Sequence, residues 1–258
     1  MTENIPTYPD LAGKVAVVTG GSGGIGAATC RLLAASGARV VVHGRDEAKI
    51  AAVVDEIGFD GGRAIGVAAD VTDFAAIERL RQRVEQELGP VEVLAAFAAS
   101  GGPPPGPTAE ITEEEWRSAI DGNLTSMFLT LKSFLPAMIE RGGGSIVTMA
   151  SSAGRVPTPA PTAYAAAKAG VVMLSRQVAS EVGEQGVRVN CLAPDSILTE
   201  RTQRFMPEDQ QQQWATMFPL GRMGTPEDVA LATLFLASES TSWLTGVTLD
   251  VAGGKIML

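Results

Sequence analysis

The segment Pro161-Thr-Ala-Tyr-Ala-Ala-Ala-Lys-Ala-Gly170 carries a phenol and an ammonium four residues apart, Tyr164 and Lys168. On a helix the two side chains rise on one face, one turn apart. A nearby positive charge favours the phenolate, so Lys168 is expected to draw the Tyr164 pKa down from ~10. That makes Tyr164 a candidate general acid/base near neutral pH. A bare Tyr-x-x-x-Lys is more often the exposed face of an ordinary helix, so the rest of the chain must supply the context.

The elements that would position the pair follow a regular rhythm. Short apolar, β-branched runs predict strands at Val15–Thr19, Arg39–Val42, Ala64–Ala68, Val93–Phe97, Ser145–Met149, Val187–Leu192 and Val247–Val251. Helical patterns fall between them, at Gly24–Ser36, Glu47–Ile57, Phe74–Leu88, Glu113–Ile139, Ala163–Val182 and Pro226–Ala237. Such alternation predicts βαβ units, an α/β fold with a parallel sheet covered on both faces. The early runs are continuously apolar, as buried parallel strands are. No linker interrupts residues 1–258, which read as one domain.

The first strand runs into Thr19-Gly-Gly-Ser-Gly-Gly-Ile-Gly26, and a helical pattern begins there. Glycines permit a tight turn and close approach of backbone to a pyrophosphate, which the free N–H groups of a helix start then hold. The strand before and the helix after are the context such a motif requires. The second strand ends His43-Gly44-Arg45-Asp46. A carboxylate at that tip suits a ribose 2′-OH, and an arginine suits a 2′-phosphate. Gly44 at the tip with Arg45 next favours NADP(H), while Asp46 is free to cap the following helix. Asp70, ending the third strand before Val71, could accept from an adenine amino group. Two stretches break the rhythm: Gly101-Gly-Pro-Pro-Pro-Gly-Pro107 and Asp195–Met223. Both leave carboxyl ends of strands, where open α/β sheets bind ligands, so they are expected to form a wall and a lid (about 195–223).

Composition excludes several classes. The net charge is −9 and no two Lys/Arg are adjacent, so nucleic acid is not an expected partner. No apolar run approaches the ~20 residues of a membrane span. The N-terminal Met-Thr-Glu-Asn-Ile-Pro is not expected to be a signal peptide. Cys30 and Cys191 stand far apart and read as buried thiols of a cytoplasmic protein, not a disulfide. One histidine, His43, and two scattered cysteines make a metal site improbable and remove most Ser-His-Asp and Cys-His mechanisms. At the end of an apolar run, His43 reads as a structural residue.

Taken together, these motifs resemble the short-chain dehydrogenase/reductases over Leu11 to Gly254, most closely the 3-oxoacyl-carrier-protein reductase-like branch. The resemblance implies a Rossmann-type doubly wound sheet of about seven strands. It implies a cofactor turn that includes Gly20, Ser22, Gly24, Ile25 and Gly26, and an adenine contact at Asp70-Val71. It implies a nicotinamide contact at Pro194, Ile197 and Thr199. The catalytic set it implies is Asn123, Ser151, Tyr164 and Lys168, with Ser151 thirteen residues before Tyr164. Lys168 would also hold the nicotinamide ribose, and Asn123 a water linked to it. The tail from Leu244 to Gly254 resembles one that supports a homotetramer, or a homodimer. Four departures stand out: Ala96 for the first asparagine after strand four, Gly23 for a basic residue of the cofactor turn, Asp195 for the glycine after Pro194, and Ala252 for the tail aspartate.

The expected activity is hydride transfer between NADP(H) and a small-molecule ketone, aldehyde or secondary alcohol. An NAD(H)-dependent alcohol, sugar or steroid dehydrogenase is the alternative. A non-catalytic nucleotide-binding regulator is the alternative of another class. Apolar residues Phe205, Met206, Trp214, Met217 and Phe218 suggest an apolar substrate. Only isolated arginines such as Arg141 and Arg155 could meet an acidic carrier protein.

Overall fold

The β-branched runs form seven strands: β1 (Val15–Thr19), β2 (Arg39–Gly44), β3 (Arg63–Ala68), β4 (Val91–Ala96), β5 (Gly144–Met149), β6 (Val187–Pro194) and β7 (Thr248–Val251). The computed structural model describes residues 8–100 and 102–258, with only the backbone of Arg201 and Phe205. The first seven residues and Gly101 of the proline-rich stretch lie outside the described residues.

The strands build a single parallel sheet in the order β3-β2-β1-β4-β5-β6-β7. The order reverses between β1 and β4, which opens a crevice at the carboxyl ends of these two strands. All five residues of β1 are buried. Successive side chains of a strand point to opposite faces, so Val15 and Val17 join one core while Ala16 and Val18 join the other.

The first core is closed by α3 (Phe74–Leu88), α5 (Ser126–Arg141) and α6 (Thr162–Val182), through side chains such as Leu80, Phe134 and Val171. The second is closed by α1 (Gly24–Ala35), α2 (Glu47–Phe59) and α9 (Pro226–Ala237), through Leu33, Val53 and Leu234. Each such fully buried side chain stabilises the fold by roughly 1.5–3 kcal/mol. Helix starts are fixed by side chains: Asp46 caps α2, Asp73 caps α3, and Thr225 with Asp228 forms a capping box on α9.

The helix expected over Glu113–Ile139 is broken. It is α4 (Glu113–Ile120), a π-helical turn at Asp121–Thr125, and then α5. The cause is local. The Ser100 amide donates to the Gly122 carbonyl at 2.8 Å, and a Cβ on Gly122 would run into the Ser100 hydroxyl. The loop after β4 thus presses on the helix at this point and one turn widens. After β6 the chain forms α7 (Glu200–Phe205) and α8 (Glu208–Ala215), then returns beside the segment that follows β6 through a bridge between Ile197 and Gly224. Among the described residues no helix is long and apolar enough to cross a membrane.

Candidate active site

Ser151 follows β5 and caps a short 3-10 turn, Ser152–Gly154, its hydroxyl accepting from the Ala153 amide at 3.2 Å. That turn lies directly on α6. A Cβ on Gly154 would stand 2.5 Å from the Lys168 carbonyl carbon, so only glycine lets the two backbones meet. Tyr164 and Lys168 rise from α6 on the same side, with the Lys168 Nζ 5.6 Å from the centre of the Tyr164 ring. The proline-rich stretch closes the other flank, where Gly102 packs against Tyr164 and Pro161.

Lys168 is 2% exposed, and its ammonium donates to the Met149 carbonyl at 3.0 Å. Burial pushes its pKa down to about 8. Tyr164 corrects the expectation drawn from spacing. Burial raises its pKa, and the Ser151 hydroxyl beside it lowers it only part of the way back. The lysine charge sits over the ring face and is itself disfavoured by the same apolar surroundings, so desolvation decides the sign. The phenol is therefore protonated throughout the neutral range.

Asn123 occupies the π-helical turn and is fully buried. Its amide nitrogen donates to the Ala119 carbonyl at 2.9 Å and to the Ser100 hydroxyl at 3.3 Å. Its Oδ1 is buried without a partner among the described residues. The π turn is the local signal that the sequence pattern hid, and such turns are frequent at functional sites.

The glycine turn joins β1 to the start of α1, as the sequence pattern predicts. Gly20 and Gly24 have positive φ, 75° and 50°. A Cβ on Gly26 would collide with the Gly20 carbonyl, so the helix start packs flush on the turn. Gly23 faces open space. Other expected contacts converge here. A Cβ on Gly44 would meet the Ser22 hydroxyl, and one on Gly24 would lie 3.2 Å from the Thr199 methyl. The segment after Pro194 and Ile197 thus reaches over the turn. Ile25 is half-buried at the start of α1. Arg45 is exposed beside the β2 tip, and its charge helps hold the Asp70 carboxyl below its usual range, after the larger effect of the Thr72 hydrogen bonds. Val71 follows, half-buried. Asp46 is committed to capping α2. The positive φ of Gly20 and Gly24, the close packing of Gly26 on Gly20 and the buried Oδ1 of Asn123, unpartnered among the described residues, fit the expected cofactor.

Several contributors were not legible in the sequence. The Thr19 hydroxyl accepts from the Phe97 and Ala98 amides at 3.0 and 3.1 Å, tying the ends of β1 and β4 where Ala96 replaces an asparagine. Asp195 pairs with Lys255 at 3.0 Å, and Lys255 also lies over the Trp214 and Phe218 rings at 5.6 and 5.1 Å. The C-terminal segment thereby clamps α8 and its following loop to the end of β6. Arg155 is spent on a bidentate pair with Asp250, while Arg141 donates to the Val91 and Gly143 carbonyls.

A family model described as enoyl-(acyl carrier protein) reductase matches residues 20–255. The 3-oxoacyl-[acyl-carrier-protein] reductase FabG of Escherichia coli K12 is 37% identical over 249 residues, covering 96% of this chain and 100% of that protein. The 2,5-dichloro-2,5-cyclohexadiene-1,4-diol dehydrogenase LinX of Sphingobium indicum is 37% identical over 244 residues, covering 95% of this chain and 96% of its own. A 7α-hydroxysteroid dehydrogenase, solved with NADH and 7-oxo glycochenodeoxycholic acid, superimposes with a TM-score of 0.90 at 34% identity and 97% coverage of both chains.

Proposed function

The chain belongs to the short-chain dehydrogenase/reductase family, and from that premise we propose how its own residues carry the reaction. It is an NAD(P)-dependent oxidoreductase acting on CH–OH/C=O groups. Our reading is a reductase of small ketones or aldehydes that prefers NADPH. The observation that carries it is the convergence of Ser151, Tyr164 and Lys168 at the carboxyl end of β5.

When bound, the dinucleotide supplies the hydride for the carbonyl carbon. Tyr164 gives its phenolic proton to the oxygen on which negative charge develops. Ser151 donates a hydrogen bond to that same oxygen. A phenol kept protonated at neutral pH suits the donor role, which supports the reductive direction. Lys168 uses one of its three N–H donors on Met149, leaving two for the ribose hydroxyls. Asn123 offers its Oδ1 to a water that returns protons toward Lys168.

Gly20, Ser22, Gly24, Ile25 and Gly26 would hold the pyrophosphate, with Pro194, Ile197 and Thr199 beside the nicotinamide. Asp70 and Val71 would meet the adenine. Arg45 would read a 2′-phosphate, supported by the absence of a carboxylate at the β2 tip and by the capping role of Asp46. An NAD(H)-dependent dehydrogenase is the second reading, favoured by the NADH bound to the similar steroid dehydrogenase.

A free small substrate is supported over a carrier-bound one by the net charge of −9, which repels an acidic carrier protein, and by the pairing of Arg155 with Asp250. We propose residues 1–258 as one domain, with α7 and α8 as its lid and Met206 and Met217 toward an apolar substrate. Phe218 is buried in the fold and Trp214 stacks on Lys255, so both serve the lid's own packing. Exposed apolar side chains on α5 (Phe128), on α6 (Met173) and before β7 (Trp243) support assembly into a homotetramer or homodimer. Two separate buried thiols support a reducing, cytoplasmic setting.

The test is a panel of ketones, aldehydes and secondary alcohols with both phosphorylated and unphosphorylated cofactors. Turnover of ketones with NADPH is expected. Binding of cofactor with turnover of no compound would favour a regulator instead.

A further inference from the structure

The roles assigned so far make no use of the chain's single histidine. His43 precedes the tip glycine of β2 and is 2% exposed. Its two ring nitrogens engage two different loops at the carboxyl end of the sheet. Nδ1 lies 3.3 Å from the Gly20 amide, in the glycine turn. Nε2 lies 3.1 Å from the Ala69 carbonyl, one residue before Asp70. An amide only donates and a carbonyl only accepts. The two contacts therefore fix one tautomer, with the proton on Nε2 and the lone pair on Nδ1.

The surrounding backbone depends on this bridge. The His43 carbonyl accepts from the Gly21 amide at 2.7 Å, and the Gly44 carbonyl from the Ala69 amide at 3.0 Å. Gly20, at φ 75°, has turned out of the β1 ladder, and a Cβ there would come 3.1 Å from the Ala98 nitrogen. Its N–H points to the imidazole instead of a neighbouring strand.

We propose that His43 is a positioning residue for the dinucleotide: its neutral imidazole holds the pyrophosphate turn at Gly20 and the adenine-side loop at Asp70 in one register. This rests on the cofactor reading of those two loops. Burial keeps the ring neutral, pushing its pKa down to about 4 against the opposing effects of the Ala69 bond and the Asp70 charge. The groups that face it are Asp70 after β3 and, beyond it, Arg45 after β2, which acts on Asp70. Cys30 on α1 lies under the same turn, its thiol held neutral by burial. Protonation of Nδ1 would set a donor against the Gly20 N–H and open the bridge.

The single histidine makes the test direct. In the chain labelled with 15N-histidine, one imidazole signal is expected at pH 7, in the Nε2–H form, and it shifts when NADPH is added. His43→Phe keeps the bulk and loses both bonds. It should raise the Kd of NADPH and of NADH alike, by about tenfold, within what two lost hydrogen bonds can contribute. His43→Asn, whose amide oxygen can stand in for Nδ1, should recover most of that loss. An Nδ1–H or doubly protonated ring at pH 7, or wild-type affinities in His43→Phe, overturns the proposal. Should His43→Phe not fold, the wild-type signal decides: a shift on adding NADPH supports the role and an unmoved signal refutes it. If the wild-type chain binds neither dinucleotide, the cofactor reading falls and this proposal falls with it.

Discussion

Replacing Lys168 by methionine is expected to destroy activity and yet make the protein more stable at neutral pH. The ammonium is 2% exposed and its pKa falls from 10.5 to about 8 through burial. At about 1.4 kcal/mol per pH unit, carrying the charge there costs the folded state about 3 kcal/mol at pH 7. Because the folded chain binds the proton more weakly than the unfolded chain, stability rises with pH between 8 and 10.5. Methionine fills the space without a charge and gives up the bond to Met149, worth about 1 kcal/mol. Lys168→Met should therefore gain about 2 kcal/mol at pH 7, or roughly 4–8 °C in Tm. That advantage should shrink by roughly 2–3 kcal/mol by pH 10, where the wild-type amine is mostly neutral. The assay is urea unfolding of both proteins at the two pH values and one protein concentration. A variant less stable than wild type at pH 7, by an amount that does not change at pH 10, would refute the argument. The lysine would then be an ordinary packing residue and not a charge held at a cost for function.

Gly154→Ala places a methyl 2.5 Å from the α6 backbone at Lys168, where nothing flexible can yield. It should destabilise by about 2 kcal/mol, read by urea unfolding, and lower kcat by displacing Ser151 from Tyr164. Arg45→Ala should raise the KM for NADPH about tenfold and leave that for NADH nearly unchanged, as expected of one charge-assisted contact to a 2′-phosphate. An unchanged KM for NADPH would remove Arg45 from cofactor recognition.

The sheet was legible because burial on both faces writes itself into sequence as continuous apolar runs. Val15–Thr19 forms a strand with the predicted limits, and Phe74–Leu88 and Pro226–Ala237 form helices with theirs. Where tertiary contact overrides local pattern, legibility failed. The π turn at Asn123 is imposed by Ser100, more than twenty residues earlier, and nothing in the amphipathic period of Glu113–Ile139 announces it. The sign of the Tyr164 shift was likewise hidden. Spacing reveals the charge one turn away, but not the depth to which both groups are buried. The clamp of Lys255 on Asp195 and Trp214 joins segments that share no local signal. The clustering of Ser22 with Gly44 and of Thr199 with Gly24 follows from topology, since parallel strands bring their following loops to one edge.

The most direct test of hydride transfer at this site is Tyr164→Phe, assayed with the best ketone of the panel. The variant should bind NADPH with the wild-type Kd, because the ring stays in place, and lose kcat by about three orders of magnitude through loss of the proton donor. A kcat close to wild type would contradict the central claim, because the proton would then be coming from somewhere other than Tyr164.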